Sequence, residues 1–213
     1  MKRTLALLLT LALSLLLFAS CGGAEASLVG YYEADGVGYF FAEGGVVVVE
    51  NGKASSHSFT VNGDTYSLGY KEVNKSALTA ASFSAPEAAE EYYTYTTKGA
   101  GKYISGLTEA GKAAPILFAP KGVAGLEQGA LNGASAKAFV IGKGTAAFNV
   151  ANKALANCSI NLYIDGSCAT TDVTCGAGLL EGSNANIYIG TAAYANFKDD
   201  YTWGNHSAAM KKF

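Results

Sequence analysis

The sequence predicts a mainly β protein: an N-terminal antiparallel β-meander, then a short solenoid of stacked parallel strands with a helical C-terminal cap. A ten-residue pattern that begins at Leu155 returns at Leu180, with its Leu, Asn, Tyr and final Ile kept. A fixed period of this length indicates stacked repeats, because one unit cannot bury its apolar face alone. An Asn51-Gly52 pair between two strand-like runs is the strongest short-range signal for a β-hairpin. The 26 Gly and only three Pro also favour short strands and turns.

The amino-acid composition is typical of a compact protein that does not bind nucleic acid. The chain has 213 residues, half of them hydrophobic and 15% charged, which suits one or two compact domains with a sizeable core. The formal net charge is -2 and the sequence has no basic patch. Nucleic acid is therefore not an expected partner.

The N-terminus has the features of an export signal. Lys2 and Arg3 precede an apolar run over 5–18, which is shorter than the roughly 20 residues that span a membrane. A positive start, a short apolar centre and small residues after it predict a signal peptide over 1–20.

The end of that signal resembles the lipobox of bacterial lipoproteins, since it reads Phe18-Ala19-Ser20-Cys21. The resemblance implies cleavage before Cys21 and attachment of lipid to its thiol. Several acyl chains on one residue give the stable anchoring that a single chain does not. The expected product is an exported lipoprotein at the bacterial cell surface, with residues 21–27 as a flexible tether.

Two segments are expected between the tether and the repeats. Residues 28–75 predict a small antiparallel β module that acts as a spacer or a capping sheet. Residues 76–100 predict a linker, with a short helix around 85–93, because Ser84 is a good N-cap and Pro86 suits a first helical turn.

The solenoid is expected over 101–213, with one parallel strand in each turn. Residues alternate between the two faces of a strand, so Ile164 and Ile189 should point inward as partners in adjacent turns. The outward ladder should then consist of Phe139, Tyr163 and Tyr188, which are the candidate ligand-binding residues, because exposed aromatic side chains often dominate binding surfaces. The predicted strands are Ile116–Phe118, Ala138–Ile141, Leu162–Ile164 and Ile187–Ile189.

The repeats resemble the leucine-rich repeats of the BspA-like class of bacterial surface antigens. The residues that carry the resemblance are Ala154-Leu155-Ala156-Asn157-Cys158-Ser159 before a short strand, and a tail with Tyr194 and Trp203 that is similar to the end cap of that class. The resemblance covers about 105–213 and is specific over about 150–206. It implies an extracellular, non-enzymatic binding or adhesion role, with a host or matrix protein or a glycan as partner. Trp203 is expected to cover the open apolar end of the last repeat.

One motif favours a different function. The stretch from Gly142 through Gly144 to Ala147 fits the pattern G-x-G-x-x-A, and Asp165 follows at the distance of a ribose-binding acid. A dinucleotide-binding protein is therefore the alternative. Only 48 residues follow Asp165, and they repeat the preceding unit instead of extending a doubly wound sheet. No nucleophile–base pair, metal cluster or carboxylate dyad has a useful spacing, so the preferred interpretation is a protein without a cofactor or an enzymatic activity.

Three cysteines remain after Cys21. Cys158 occupies a repeat position, which predicts a small buried hydrophobic residue. Cys168 and Cys175 are close enough in sequence to form a disulfide within one loop, and export permits disulfides.

Overall fold

A computed structural model describes residues 30–34, 37–42, 45–50, 53–57, 65–67, 72–74, 79–80 and 87–213. The predicted signal peptide, Cys21 and the tether lie outside these residues. Within the described helices, none is long and apolar enough to cross a membrane.

The N-terminal part forms an antiparallel sheet, as the sequence predicts. Its strands, in the spatial order β4-β3-β2-β1-β7, are β1 (Gly30–Ala34), β2 (Val37–Ala42), β3 (Gly45–Glu50), β4 (Lys53–His57) and β7 (Thr79–Ala80). A separate pair consists of β5 (Thr65–Ser67) and β6 (Glu72–Asn74). Glu50 pairs with Lys53, so β3 and β4 are joined by a two-residue connection at the predicted hairpin. β7 extends this sheet into the segment expected to be a linker.

A 3-10 helix (Glu87–Tyr92) lies where a short helix is predicted, and it leads into the second half of the chain. There the chain builds two sheets of stacked strands. The first parallel sheet contains β10 (Ile116–Phe118), β12 (Ala138–Ile141), β14 (Asn161–Ile164), β16 (Ile187–Ile189) and β17 (Met210–Lys212). The second parallel sheet contains β9 (Gly101–Leu107), β11 (Gly125–Leu126), β13 (Phe148–Val150) and β15 (Val173–Cys175), with β8 (Tyr93–Lys98) added antiparallel to β9. Each coil of chain thus supplies one strand to each sheet.

The prediction of parallel strands at four positions is confirmed, and β14 is one residue longer than expected. Leu162 pairs with Ile187, and Ile164 pairs with Ile189, as the repeat pattern requires. The second parallel sheet and the final strand β17 were not predicted. The assignment of the stack to the leucine-rich-repeat class stays a prediction.

The core of the stack lies between the two parallel sheets. Leu162 and Ile187 from the first sheet are fully buried, as are Leu126 and Val150 from the second. The rings of Phe139 and Phe148 meet across the core with centroids 6.2 Å apart. At one corner the coils approach so closely that a Cβ on Gly190 would lie 2.4 Å from the backbone nitrogen of Gly166. Only glycine fits at such a contact.

Both ends of the stack are closed by aromatic hydrogen-bond donors. At the first coil, the hydroxyl of Tyr93 donates to the carbonyl of Phe118 at 2.7 Å. At the last coil, a helix (Tyr194–Asp199) and a second 3-10 helix (Trp203–Ala209) pack together. There the ring nitrogen of Trp203 donates to the carbonyl of Val173 at 2.8 Å. The geometry agrees with the predicted capping role of Trp203.

The N-terminal sheet packs on the outer side of the first parallel sheet. Phe40 meets Tyr163 edge to face with ring centroids 4.9 Å apart, and Tyr31 meets Phe118 at 6.2 Å. These separations and angles are those at which aromatic quadrupoles attract each other. One face of the repeat stack is therefore covered by the chain's own N-terminal strands.

Candidate functional site

The predicted exposed aromatic ladder of Phe139, Tyr163 and Tyr188 is wrong in two respects. Phe139 pairs with Leu162, so its side chain belongs to the inward column, and Val140 takes the place beside Tyr163. Tyr163 and Tyr188 do share one column, where their rings stack with centroids 4.6 Å apart and planes 6° apart. However, Tyr163 is fully buried and Tyr188 is only 5% exposed.

The docked N-terminal sheet covers Tyr163, and the last strand of the first parallel sheet, β17, covers Tyr188. Phe40 lies on the ring of Tyr163, and Lys211 lies over the ring of Tyr188 with its ammonium 5.5 Å from the ring centroid. The outward aromatic side chains thus form a second core between two sheets. They stabilise the docking and offer no free surface to a ligand.

The glycine-rich stretch does not have the structure that a dinucleotide fingerprint needs. Residues 142–147 connect strand β12 to strand β13, and no helix follows them. Ala147 has a φ of 53°, outside the right-handed helical region in which the fingerprint would start its helix. Without a helix N-terminus there is no set of backbone amides and no dipole for a pyrophosphate. Gly142 and Gly144 are therefore residues of a tight loop.

Asp165, the predicted ribose ligand, is 5% exposed. Its carboxylate accepts hydrogen bonds from the backbone nitrogen of Ser167, at 2.8 Å, and from the Ser167 hydroxyl. It stabilises the corner after β14.

The predicted disulfide is absent, since Cys168 and Cys175 are both free thiols. The Cys168 thiol donates to the carbonyl of Gly142 at 3.6 Å, whereas Cys175 ends β15 in register with Val150 of the core. Burial raises the pKa of each thiol from 9.0 to about 12, and the charges of Asp165 and Asp200 add to this in Cys168 and Cys175 respectively. Neither group acts as a nucleophile near neutral pH, because the thiolate is the reactive form. The prediction that Cys158 is a buried residue is met only in part, because its side chain is half-buried.

The outer side of the second parallel sheet is the side of the stack without a covering sheet among the described strands. We call this surface the open face. Its strands alternate buried and exposed residues, so that Asn149 and Thr174 point out between buried neighbours. The open face consists of Thr96, Lys98, Tyr103, Glu127, Asn149 and Thr174.

The open face follows one column of paired residues. Tyr103 pairs with Gly125, Gly125 with Asn149, and Asn149 with Thr174. A Cβ on Gly125 would lie 2.3 Å from the carbonyl oxygen of Asn149, so the column has no side chain at this step. The amide of Asn149 donates to the hydroxyl of Thr174 at 2.8 Å, which fixes both side chains on the surface.

Charged groups at one end of the open face are paired with each other. Lys98 lies 2.7 Å from the carboxylate of Glu127 and 5.9 Å from the ring centroid of Tyr103. At the neighbouring edge, Lys102 lies 3.0 Å from Glu90 and 3.9 Å from the ring centroid of Tyr95. Burial raises the pKa of Tyr95 to about 12, with a further contribution from Glu90. These contacts hold two aromatic rings and two ammonium groups in fixed positions.

Sequence reasoning did not find the open face, although a signal for it exists. Phe148-Asn149-Val150 and Val173-Thr174-Cys175 are both apolar-polar-apolar triplets, and they are 25 residues apart. This is the same interval as that between Tyr163 and Tyr188. A search for a second short strand in each repeat would have located Asn149 and Thr174.

In the part of the chain that the structure describes, no three His, Cys, Asp or Glu side chains lie close enough to hold a metal ion. Comparison with known proteins identifies no relative: no family model, no curated protein and no solved structure matches the chain.

Proposed function

We propose that this chain is a lipid-anchored protein of the bacterial cell surface that binds an extracellular protein or glycan through the open face. The stack would be a short leucine-rich-repeat solenoid, and its role would be binding or adhesion without catalysis. The observation that carries this proposal is the difference between the two parallel sheets. One has its outer aromatic residues buried by the N-terminal strands, while the other presents ordered polar and aromatic side chains to solvent.

The chemistry of the open face suits a macromolecular or saccharide partner. Tyr103 supplies a large rigid ring, and tyrosine is enriched among the residues that dominate binding energy. Asn149 and Thr174 supply amide and hydroxyl groups that both donate and accept hydrogen bonds. Their mutual hydrogen bond reduces the entropy that a partner must remove from these side chains on binding.

The arrangement of the modules is compatible with display from a membrane. Cys21 would hold the lipid, and the N-terminal sheet follows the predicted tether in sequence. Because that sheet covers the first parallel sheet, it would also fix the orientation of the stack relative to the anchor. The uncovered sheet would then be the one available to a partner.

The anchoring part of the proposal is tested in cells that produce the wild-type chain or Cys21→Ala. We expect the wild type to incorporate labelled palmitate and to sediment with membranes, and the variant to be released. If the variant stays in the membrane fraction and the wild type incorporates no label, the proposed lipid anchor on Cys21 is wrong.

The binding part is tested with intact cells that display the wild-type chain, on an immobilised panel of extracellular-matrix proteins and glycans. Cells without the chain are the control. We expect saturable attachment to at least one member of the panel that depends on the chain. Equal attachment of both kinds of cell to every member would contradict an adhesion role.

A further inference from the structure

A groove with both apolar and polar lining lies at the C-terminal end of the stack, and none of its lining residues belongs to the open face. We call it the cap groove. It has a volume of about 400 Å3, within the size range of small-molecule sites. Its lining includes Asn184, Asn186, Asn205, His206 and Ala208.

The groove exists because the last coil has no further coil above it. In the preceding coil, Leu155 donates its backbone N–H to the carbonyl of Leu179, and Asn157 donates to Glu181, so consecutive turns lie directly on each other. After the last turn the chain continues as the 3-10 helix from Trp203 to Ala209. A helix does not follow the contour of the turn below it, and the space between them is the cap groove.

The groove contains hydrogen-bonding groups without protein partners. The side-chain amides of Asn184 and Asn186 make no hydrogen bond within the part of the chain that the structure describes. Asn186 is half-buried, and its backbone nitrogen is already bonded to the side-chain oxygen of Asn161 at 2.9 Å. Asn205 uses its amide nitrogen on the carbonyl of Tyr201 at 3.2 Å, which leaves its side-chain oxygen available. Asn184 and Asn205 are exposed and Asn186 is half-buried, so these amides are accessible to water or to a ligand.

His206 adds a further polar group with a defined orientation. Its Nε2 lies 3.3 Å from the carbonyl of Gly176. A carbonyl only accepts, so this nitrogen must carry the hydrogen, and Nδ1 is the acceptor in the neutral ring. The same contact attaches the helix to the edge of the second parallel sheet and fixes one wall of the groove.

The geometry points to a neutral, hydroxyl-rich small ligand, a saccharide, bound in the cap groove. Amides and an imidazole offer both donors and acceptors, which is what a sugar hydroxyl needs. No lysine, arginine, aspartate or glutamate lines the groove, so nothing there favours a charged ligand. An apolar ligand would displace water from these amides and give them no hydrogen bond in return, which is costly.

The ligand class is tested with the full chain in detergent and four neutral sugars: glucose, galactose, mannose and N-acetylglucosamine. Saturation-transfer NMR observes the sugar protons and detects the weak binding, with a Kd of about 1–10 mM, that a few hydrogen bonds in an open groove support. We expect at least one of the four sugars to receive saturation from the wild-type chain.

The position of the site is tested with two variants and a matched control. Ala208 is exposed in the wall of the groove, so Ala208→Trp fills the space without disturbing the core. Asn184→Ala removes an amide that holds no structural contact. Asn132→Ala makes the same change in an exposed turn of an earlier coil. We expect the first two variants to lose at least tenfold in affinity and the control to bind as the wild type does.

Three outcomes would overturn the inference. The first is no transfer to any of the four sugars at about 50 mM, which is several times the weakest expected Kd. The second is transfer that survives both groove variants. The third is transfer that is lost in Asn132→Ala. Tighter binding of glucuronate than of glucose would likewise exclude a neutral ligand as the preferred class. The open face can fail its own test without affecting these results, because none of the variants changes a residue of that face.

Discussion

The ring nitrogen of Trp203 donates a hydrogen bond to the carbonyl of Val173, 30 residues earlier in the chain, at 2.8 Å. Val173 lies in β15, the last strand of the second parallel sheet, and none of the other described strands pairs with its outer edge. The indole is 1% exposed and packs against Phe197 with ring centroids 5.2 Å apart. One side chain thus covers the apolar end of the stack and satisfies a carbonyl that the next coil would otherwise bond.

This contact predicts the effect of Trp203→Phe. The phenyl ring retains most of the apolar packing but has no donor, so the buried carbonyl of Val173 loses its partner. Leaving such a group unsatisfied costs about 1–3 kcal/mol, which lowers the melting temperature by roughly 2–12 °C in a chain of this size. His206→Ala removes a longer contact at a half-buried site and serves as the milder comparison. A melting temperature for Trp203→Phe equal to that of the wild type would mean that the hydrogen bond to Val173 does not stabilise the stack.

The opposite end of the stack gives a parallel prediction for Tyr93→Phe. This change removes only the hydroxyl that donates to Phe118 at 2.7 Å, and the expected loss is again about 1–3 kcal/mol in the free energy of unfolding. Urea denaturation measures it. Tyr201→Phe is the control, since Tyr201 is 93% exposed. If the two variants unfold at the same urea concentration, the hydroxyl of Tyr93 does not close the first coil.

Tyr163 and Ile164 test which faces of the first parallel sheet are buried. Ile164→Ala should cost about 2–5 kcal/mol, and Tyr163→Ala about 3–5 kcal/mol, because both side chains are fully buried and each substitution leaves a cavity. Thermal melts of both variants check this, with Tyr201→Ala as the exposed aromatic control. If Tyr163→Ala has the same melting temperature as Tyr201→Ala, the N-terminal sheet does not pack on this face.

The buried thiols predict a dependence of stability on pH. In the fold the pKa of Cys168 and that of Cys175 are raised from 9.0 to about 12. Burial also raises the pKa of Tyr93 well above its ordinary value of 10.0. A raised pKa in the folded state means that the unfolded chain releases the proton first. The stabilisation is therefore complete below about pH 9 and is lost as the pH rises through about 12.

Two measurements check the state of these thiols. Ellman's reagent at pH 8 should react with Cys168 and Cys175 only after denaturation, and with half-buried Cys158 before them. The free energy of unfolding should fall between pH 9 and pH 11, and a Cys168→Ala, Cys175→Ala double variant should show a smaller fall. Finding a Cys168–Cys175 disulfide in the purified protein would contradict the arrangement described for both residues.

The sequence predicts the first parallel sheet well because its strands carry strong local signals. Each is a short apolar run, and the Leu-Tyr-Ile and Ile-Tyr-Ile triplets of β14 and β16 repeat at a visible interval. The error at Phe139 has a simple cause: the coils differ in length. Paired residues are 22 apart between Leu117 and Phe139, 23 apart between Phe139 and Leu162, and 25 apart between Leu162 and Ile187. An interval of 24, one residue more than the true 23, therefore puts Phe139 instead of Val140 in the column of Tyr163.

Two features could not be inferred from local pattern. Gly125 and Leu126 form a strand of only two residues, which exists because the strands on both sides of it pair with it. The docking of Phe40 on Tyr163 depends on contacts between residues more than 120 positions apart, which no periodicity encodes. Tertiary context of this kind decides which face of an apolar strand is exposed.

The central claim is that the open face holds the extracellular partner, and one pair of variants tests it most directly. Tyr103→Ala removes the aromatic ring of the open face, while Tyr201→Ala removes an exposed ring from the C-terminal cap. The affinity of each full-length variant for the panel member that wild-type cells bind is measured by surface plasmon resonance. We predict a loss of about 2 kcal/mol, roughly 30-fold in Kd, for Tyr103→Ala and no change for Tyr201→Ala. Wild-type affinity in Tyr103→Ala, with the fold intact by circular dichroism, would show that the partner binds elsewhere.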